Sequence, residues 1–143
     1  MSELVRLEGR VFVIGDVHAE DQTLASAVDF AHAQGASAIL CVGDIADGRG
    51  DLSRTLSLLE THGVICVEGN HDEWACKGQM RQLVGAHELD DAQRAFLSAL
   101  PPWRVFDTPI GQLMLAHTMQ ACTRTSSCHG AGGARRRSSM SSG

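Results

Sequence analysis

No apolar run in the sequence is long enough to cross a bilayer, so the chain offers no membrane-spanning segment. The five cysteines are odd in number and irregular in spacing, which argues against a disulfide framework. The first ten residues lack the apolar stretch of a secretion signal. Cys41 and Cys66 fall in predicted buried strands, where a thiol behaves as a small hydrophobic group. Together these features predict a reducing, cytoplasmic location.

Acidic residues are missing from the last part of the chain, and basic residues are scarce in the rest. All 17 acidic residues lie at or before Asp107, together with only eight of the 12 basic residues. Such a negative body disfavours binding to a nucleic-acid backbone. Residues 120–143 are rich in Ser, Gly and Arg and contain no Leu, Ile or Val, so they cannot bury enough apolar surface to offset their ordering entropy. We therefore predict one domain over residues 1–119 and a disordered tail over residues 120–143.

Three short apolar runs, at residues 11–14, 38–42 and 64–67, each lead into a glycine and a group of polar side chains. Helical patterns at residues 21–34 and 52–62 separate the runs, and this alternation predicts a parallel sheet. The carboxyl ends of parallel strands meet at one edge of a sheet, where ligands bind. We expect five side chains to converge there: Asp16, His18, Asp44, Asn70 and His71. Oxygen and imidazole donors of this kind suit divalent metals.

The second half of the chain gives weaker signals. A helix is predicted over residues 73–83, and another from a cap at Asp90 or Asp91 to residue 100, where two prolines follow. Residues 103–106 and 112–116 are predicted to form a hairpin. His117 follows this hairpin, either as a metal ligand or as a histidine satisfied by its strand end.

The polar groups after the three strands are GDVH at residues 15–18, GDIADG at residues 43–48 and GNHD at residues 69–72. Any one of them alone is also compatible with an ordinary turn. In this order and at these separations they resemble the calcineurin-like metallophosphoesterase family, whose patterns are GDxH, GDxxD and GNH followed by an acid. The resemblance covers about residues 10–118. It implies an α/β fold of the α-β-β-α sandwich type, which is truncated here on the C-terminal side.

The resemblance also implies a chemistry. Two divalent ions, Mn, Fe, Zn or Co, would hold a bridging hydroxide that attacks a phosphomonoester or phosphodiester. Asp16 and His18 would bind the first ion and Asn70 and His117 the second, while Asp44 would bind both. His71 would protonate the leaving group, and Asp47 would orient His71. The implied partner is a phosphorylated molecule rather than a membrane or a nucleic acid.

Two parts of the family pattern are missing. The family's later GHxH motif, which supplies one histidine to each metal, does not occur, and the only histidine after His117 is His129, in an unrelated context. Gly48 and Glu68 occupy positions where the phosphoprotein-phosphatase members carry arginines, and Arg49 is displaced by one residue. We therefore expect weak or no activity from this chain. The alternative is a non-catalytic metallophosphoesterase-like scaffold that binds a partner.

Overall fold

The computed structural model describes residues 4–80 and 88–119. Within these residues it contains six strands and four helices: β1 (Val5–Arg6), β2 (Val11–Ile14), α1 (Asp21–Ala33), β3 (Ala38–Cys41), α2 (Leu52–Thr61), β4 (Ile65–Cys66), α3 (Asn70–Cys76), α4 (Asp91–Ser98), β5 (Trp103–Thr108) and β6 (Gly111–Ala116). None of these four helices has the length and apolar character needed to span a membrane. The predicted tail, residues 120–143, lies outside the described residues.

The three motif-bearing strands form one parallel sheet in the order β2-β3-β4. Val11 is opposite Ala38 and Ile14 is opposite Cys41, so β2 and β3 start and end together. α1 connects β2 to β3, and α2 connects β3 to β4. The predicted adjacency of the three strands is therefore confirmed, and their carboxyl ends lie along one edge.

A second sheet has the order β1-β5-β6. The predicted hairpin is present as β5 and β6, which extend to Thr108 and Gly111 and leave a two-residue turn. β1 corrects the interpretation of residues 1–10 as a polar lead, because Val5 pairs in parallel with Phe106. Arg6 also forms an ion pair with Asp107 at 2.9 Å. A two-residue strand has no periodicity of its own, so its sequence does not reveal this pairing.

The two sheets pack face to face, and the helices cover the other face of the parallel sheet. β3 shows the alternation expected of a strand that is buried on both faces: Ile39 and Cys41 face the helices, while Leu40 faces the second sheet. The layer between the sheets consists of five buried side chains: Leu7, Leu40, Val67, Phe106 and Leu115. The fold is thus a mixed α/β sandwich, as predicted. In residues 4–80 and 88–119 all four helices contribute side chains to the buried cluster that contains Ile39 and Cys41 of the parallel sheet.

The helix boundaries show where local signals were sufficient. Asp51 caps α2 as predicted, and Asp90 rather than Asp91 caps α4 in a capping box with Gln93. The helix predicted over residues 73–83 instead begins at Asn70 and ends at Cys76, so the GNHD motif forms its first turn. Residues 81–83 of that prediction lie outside the described residues. The strand predicted over residues 64–67 is confined to Ile65–Cys66.

Replacing Asp51 with alanine is expected to lower the free energy of unfolding by about 1 kcal/mol, because its carboxylate accepts the backbone N–H of Arg54 at 2.9 Å. Chemical denaturation of the purified variant measures the loss. Ser57→Ala in the same helix is the matched control, since Ser57 is exposed in mid-helix and its replacement should change stability by less than about 0.5 kcal/mol. Equal effects of the two substitutions would contradict the capping role.

Candidate metal and phosphate site

The loops after β2, β3 and β4 are joined to one another through their backbones. The N–H groups of Val17 and His18 both donate to the carbonyl oxygen of Asp44, at 3.0 and 2.8 Å, and the N–H of Ala19 donates to the carbonyl oxygen of Ile45 at 2.7 Å. These three hydrogen bonds fix the GDVH loop against the GDIADG loop. The side chains of the two loops are therefore held in fixed positions relative to one another, which a binding site for a small ion requires.

Four non-glycine residues of these loops have positive φ angles: His18 at 47°, Ala19 at 57°, Asp44 at 51° and Asp47 at 68°. This region of φ and ψ is uncommon for residues with a Cβ atom. Such conformations persist where the surrounding structure imposes them, and they concentrate at functional sites. All four lie in or directly after the GDVH and GDIADG motifs, two of the three segments that carry predicted site residues.

Two glycines allow the loops to approach this closely. A Cβ atom at Gly69 would overlap the backbone nitrogen of Asp44 and its Oδ1 atom. A Cβ atom at Gly48 would overlap the carbonyl oxygen of His18. The glycines of GDIADG and GNHD are thus required by contact between the loops.

Asp44 lies at the centre of the site and is 4% exposed. Its Oδ1 atom accepts the backbone N–H of His71 at 2.9 Å. Its Oδ2 atom faces the Nε2 atoms of three histidines: His117 at 3.5 Å, His18 at 3.9 Å and His71 at 4.0 Å. One carboxylate oxygen therefore lies among three imidazole rings.

Each of the three imidazoles is oriented by an oxygen atom at its Nδ1 position. The acceptor is the carbonyl oxygen of Ala46 for His18 at 3.2 Å and the carbonyl oxygen of Val42 for His117 at 2.9 Å. His71 has the Oδ2 atom of Asp47 at 2.6 Å. Since these oxygens can only accept, Nδ1 carries the proton in each ring. In the neutral form the Nε2 lone pairs of all three rings are then available on the side of Asp44.

Asn70 completes the arrangement, with its Oδ1 atom 3.0 Å from Nε2 of His117. With Nδ1 of His117 protonated, this contact brings together two acceptors, and the carboxylate of Asp44 is a third. A proton on Nε2 of His117 or a metal ion placed among these atoms removes the repulsion between the acceptors. The donor set therefore fits a metal. Two groups of candidate ligands share Asp44: His18, Asp44 and His71 form one, and Asp16, Asp44 and His117 form the other.

Asp47 and Trp74 both contact His71. Asp47 is 1% exposed and its carboxylate receives Nδ1–H of His71. The ring of Trp74 lies 4.7 Å from that of His71, centroid to centroid, and the ring of His18 lies 4.8 Å away on an edge-to-face approach. His71 is thereby held by a hydrogen bond and by two aromatic neighbours.

Asp72 is the site residue whose role the sequence did not indicate. It is fully buried, and its Oδ1 atom accepts the N–H groups of Ile45 and Ala46, both at 2.8 Å. Its Oδ2 atom accepts the N–H of Gly69 at 2.9 Å. Burial raises the pKa of this carboxyl group, while the three backbone donors act in the opposite direction. Asp72 thus ties the GDIADG loop to the start of α3.

The structure brings all seven predicted site residues to the carboxyl edge of the parallel sheet: Asp16, His18, Asp44, Asp47, Asn70, His71 and His117. Asp16 is the most accessible, with 53% of its side chain exposed and its Oδ2 atom 3.9 Å from Nε2 of His18. His117 reaches the others because β6 belongs to the sheet that packs against the parallel one. How these residues divide between metal ligands and proton donor stays a prediction.

A loop-linked set of carboxylate, amide and imidazole donors at the end of a parallel sheet is typical of a metal-dependent hydrolase. Residues 9–136 match the family model for calcineurin-like phosphoesterases, and the chain belongs to this family. Candidate metal ligands are therefore present in a fold whose family hydrolyses phosphoesters with metal ions.

Two solved structures are similar to the chain. One is a crystal structure of a protein provisionally described as a diadenosine tetraphosphatase, with 28% identity and a TM-score of 0.58 over 79% of this chain. The other is a metallophosphoesterase from Sphaerobacter thermophilus, with 27% identity and a TM-score of 0.48 over 65% of this chain. The chain spans 51% and 42% of the lengths of these proteins. No curated protein matches it.

Proposed function

We propose that the chain is a metal-dependent phosphoesterase that hydrolyses a phosphomonoester or phosphodiester, with weak or no activity because the GHxH histidines are missing from its sequence. The observation that supports this proposal is the convergence of carboxylate, amide and imidazole donor atoms around Asp44. Nε2 of His117 and Oδ1 of Asn70 provide the shortest of these contacts, at 3.0 Å. The same edge carries His71 with its buried carboxylate partner.

The proposed cofactor is a pair of divalent ions, Mn, Fe, Zn or Co, since mixed oxygen and imidazole ligands suit these metals. Asp16 and His18 would hold one ion and Asn70 and His117 the other, with Asp44 between them. Such ions supply charge neutralisation for the phosphate and lower the pKa of attacking water. With three protein ligands for each ion, binding should be weaker than in members that also carry the GHxH histidines.

His71 is proposed as the proton donor to the leaving group. Asp47 accepts its Nδ1–H at 2.6 Å, fixes the ring and stabilises the positive charge of the protonated imidazole. Nε2 is then the atom that delivers the proton, on the side of the ring that faces Asp44. Trp74 limits rotation of the ring away from that direction.

The proposed substrate is a small phosphorylated molecule. A cavity of about 350 Å³ adjoins Asp47, and its lining includes the carboxylate residues Asp51, Glu88 and Asp90, so its charge suits the part of such a molecule that carries no phosphate. This volume is within the range of pockets for small ligands. The name of the tetraphosphatase relative makes a dinucleoside polyphosphate one candidate. Gly48 and Glu68 stand where arginines would bind the phosphate of a phosphomonoester, so a phosphodiester is an equally good candidate substrate. We also propose a cytoplasmic location and no membrane or nucleic-acid partner.

His71→Ala is expected to remove whatever hydrolysis of an aryl phosphate the parent chain shows with added Mn²⁺ or Co²⁺, because general acid catalysis contributes about 10²–10⁴-fold. Metal content, measured by elemental analysis after dialysis, should be unchanged. Gln22→Ala on the exposed face of α1 is the control and should leave both quantities unaltered. Loss of metal together with activity would show that His71 is a ligand, as its place in one ligand group allows.

The second candidate function is a non-catalytic scaffold. The sequence lacks the GHxH pair, so the described residues offer only three protein ligands for each ion. This incomplete ligand set favours the scaffold. The same assay separates the two functions. Metal-dependent hydrolysis that EDTA abolishes supports the enzyme, and metal binding without any hydrolysis supports the scaffold.

A further inference from the structure

Two histidines meet at the edge of the molecule opposite the catalytic loops. His32 lies in the last turn of α1, and His62 is the C-cap residue of α2. Both helices begin just after catalytic loops and run back along the parallel sheet, as right-handed crossovers require. Their C-terminal ends therefore lie at the far edge of the sheet, and neither histidine belongs to the site around Asp44.

The two rings approach each other through nitrogen atoms. Nε2 of His32 is 3.2 Å from Nδ1 of His62. The ring centroids are 5.3 Å apart and the planes are inclined by 43°, so the rings are not stacked. In the metal-free pair one nitrogen donates its hydrogen to the other. His32 is exposed and His62 half-buried, so solutes can reach the pair.

The same separation matches two ligands of one ion. Nitrogen ligands lie about 2.0–2.1 Å from zinc, and a tetrahedral angle places two of them about 3.3 Å apart. The observed separation is thus within about 0.1 Å of the distance between two nitrogen ligands of one zinc ion. A neutral imidazole can place its hydrogen on the outer nitrogen, which frees the inner lone pair for the metal.

The pair lies at two helix C-termini, where the helix dipoles place partial negative charge. The last carbonyl groups already have partners: those of Phe30, His32, Leu58 and Glu60 accept backbone N–H groups, and the guanidinium of Arg10 donates to the carbonyl oxygen of Gln34. The chain as a whole has a formal net charge of -5. Imidazole nitrogens select zinc, copper or nickel over magnesium or calcium.

We infer that His32 and His62 form a second metal site, which takes one zinc, copper or nickel ion and connects the ends of α1 and α2. Among residues 4–80 and 88–119, no third candidate ligand completes a cluster with this pair, so water fills the other positions. Binding there stabilises the packing of α1 against α2 because the ion favours the folded chain. The proposal is independent of the proposed activity.

Paramagnetic broadening of backbone amide signals tests the proposal on the whole chain. Cu²⁺ alone is added to the ¹⁵N-labelled protein, and we expect two separate groups of broadened amides. One group surrounds Asp44, and the other includes Gly35 and Gly63. In His32→Gln and in His62→Gln the second group should stay sharp while the first remains broadened, and equilibrium dialysis should show one copper fewer per chain.

Glu60→Gln is the control, because it removes a charge two residues before His62 without touching either ring. It should keep both broadened groups. Circular dichroism confirms that each variant is folded, and the persisting group around Asp44 provides an internal check in the same sample. Sharp signals at Gly35 and Gly63 in the parent chain would overturn the proposal. Broadening there that survives either histidine substitution would also overturn it.

Discussion

Asp44→Asn is expected to abolish stoichiometric metal binding at the catalytic edge. Oδ2 of Asp44 is the atom that faces His18, His71 and His117, and both groups of candidate ligands contain this carboxylate. An amide keeps the acceptor for the backbone N–H of His71 but removes the negative charge that would attract both ions. Loss of a group that merely orients a ligand weakens metal binding about 10–100-fold. Loss of a shared ligand should exceed 100-fold. Isothermal titration with Mn²⁺ measures the change.

Asp29→Asn is the matched control for this experiment, because it removes one carboxylate charge from the exposed face of α1. Its titration should coincide with that of the parent chain. If Asp44→Asn binds Mn²⁺ as tightly as the control does, the convergence around Asp44 is not a metal site. A decrease to one bound ion would instead show that Asp44 serves a single ion.

Asp72→Ala is expected to lower the free energy of unfolding by about 3–5 kcal/mol. The substitution leaves the buried N–H groups of Ile45, Ala46 and Gly69 without an acceptor, and each unpaired buried group costs about 1–3 kcal/mol. Domains of this kind have a total stability of about 5–15 kcal/mol, so the loss is a large fraction. Urea denaturation followed by circular dichroism measures it.

Asp72→Asn gives an intermediate test of the same contacts. Its amide oxygen can accept from Ile45 and Ala46, but its NH₂ group then faces the N–H of Gly69, and a loss between those of the control and the alanine variant is expected. Asp91→Ala, in the first turn of α4, is the control and should change stability by less than about 1 kcal/mol. Similar stability of all three variants would show that the loop is held by other contacts.

The sequence was sufficient to predict the site residues that directly follow strands of the parallel sheet. Asp16, Asp44 and Asn70 each follow a strand of one parallel sheet, so their convergence needs no information beyond strand order. His117 needed one further assumption, that the hairpin packs across the parallel sheet with its end toward the same edge. The buried layer of Leu40, Val67 and Phe106 between the sheets provides that packing.

Other features depend on contacts that no local pattern encodes. β1 is two residues long, and its partner Phe106 lies about a hundred residues later. The orientation of His18 and His117 depends on backbone carbonyl groups of Ala46 and Val42, which every residue possesses. The positive φ angles of Asp44 and Asp47 could likewise not be predicted from the sequence, because glycine is the residue type that usually indicates such a conformation. The role of Asp72 could not be predicted either, because the three backbone N–H groups that it accepts come from residues that only the fold brings close to it.

The contact between Gly48 and the carbonyl oxygen of His18 restricts the mutational paths open to this chain. The phosphoprotein-phosphatase branch has an arginine at that position, yet here even a methyl group would overlap the neighbouring loop. An arginine at residue 48 is therefore accessible only after the GDVH loop has moved, so the order of substitutions matters. In a scan of all single substitutions, position 48 should tolerate glycine alone. Because the obstacle is a backbone oxygen, changing a neighbouring side chain alone does not remove it.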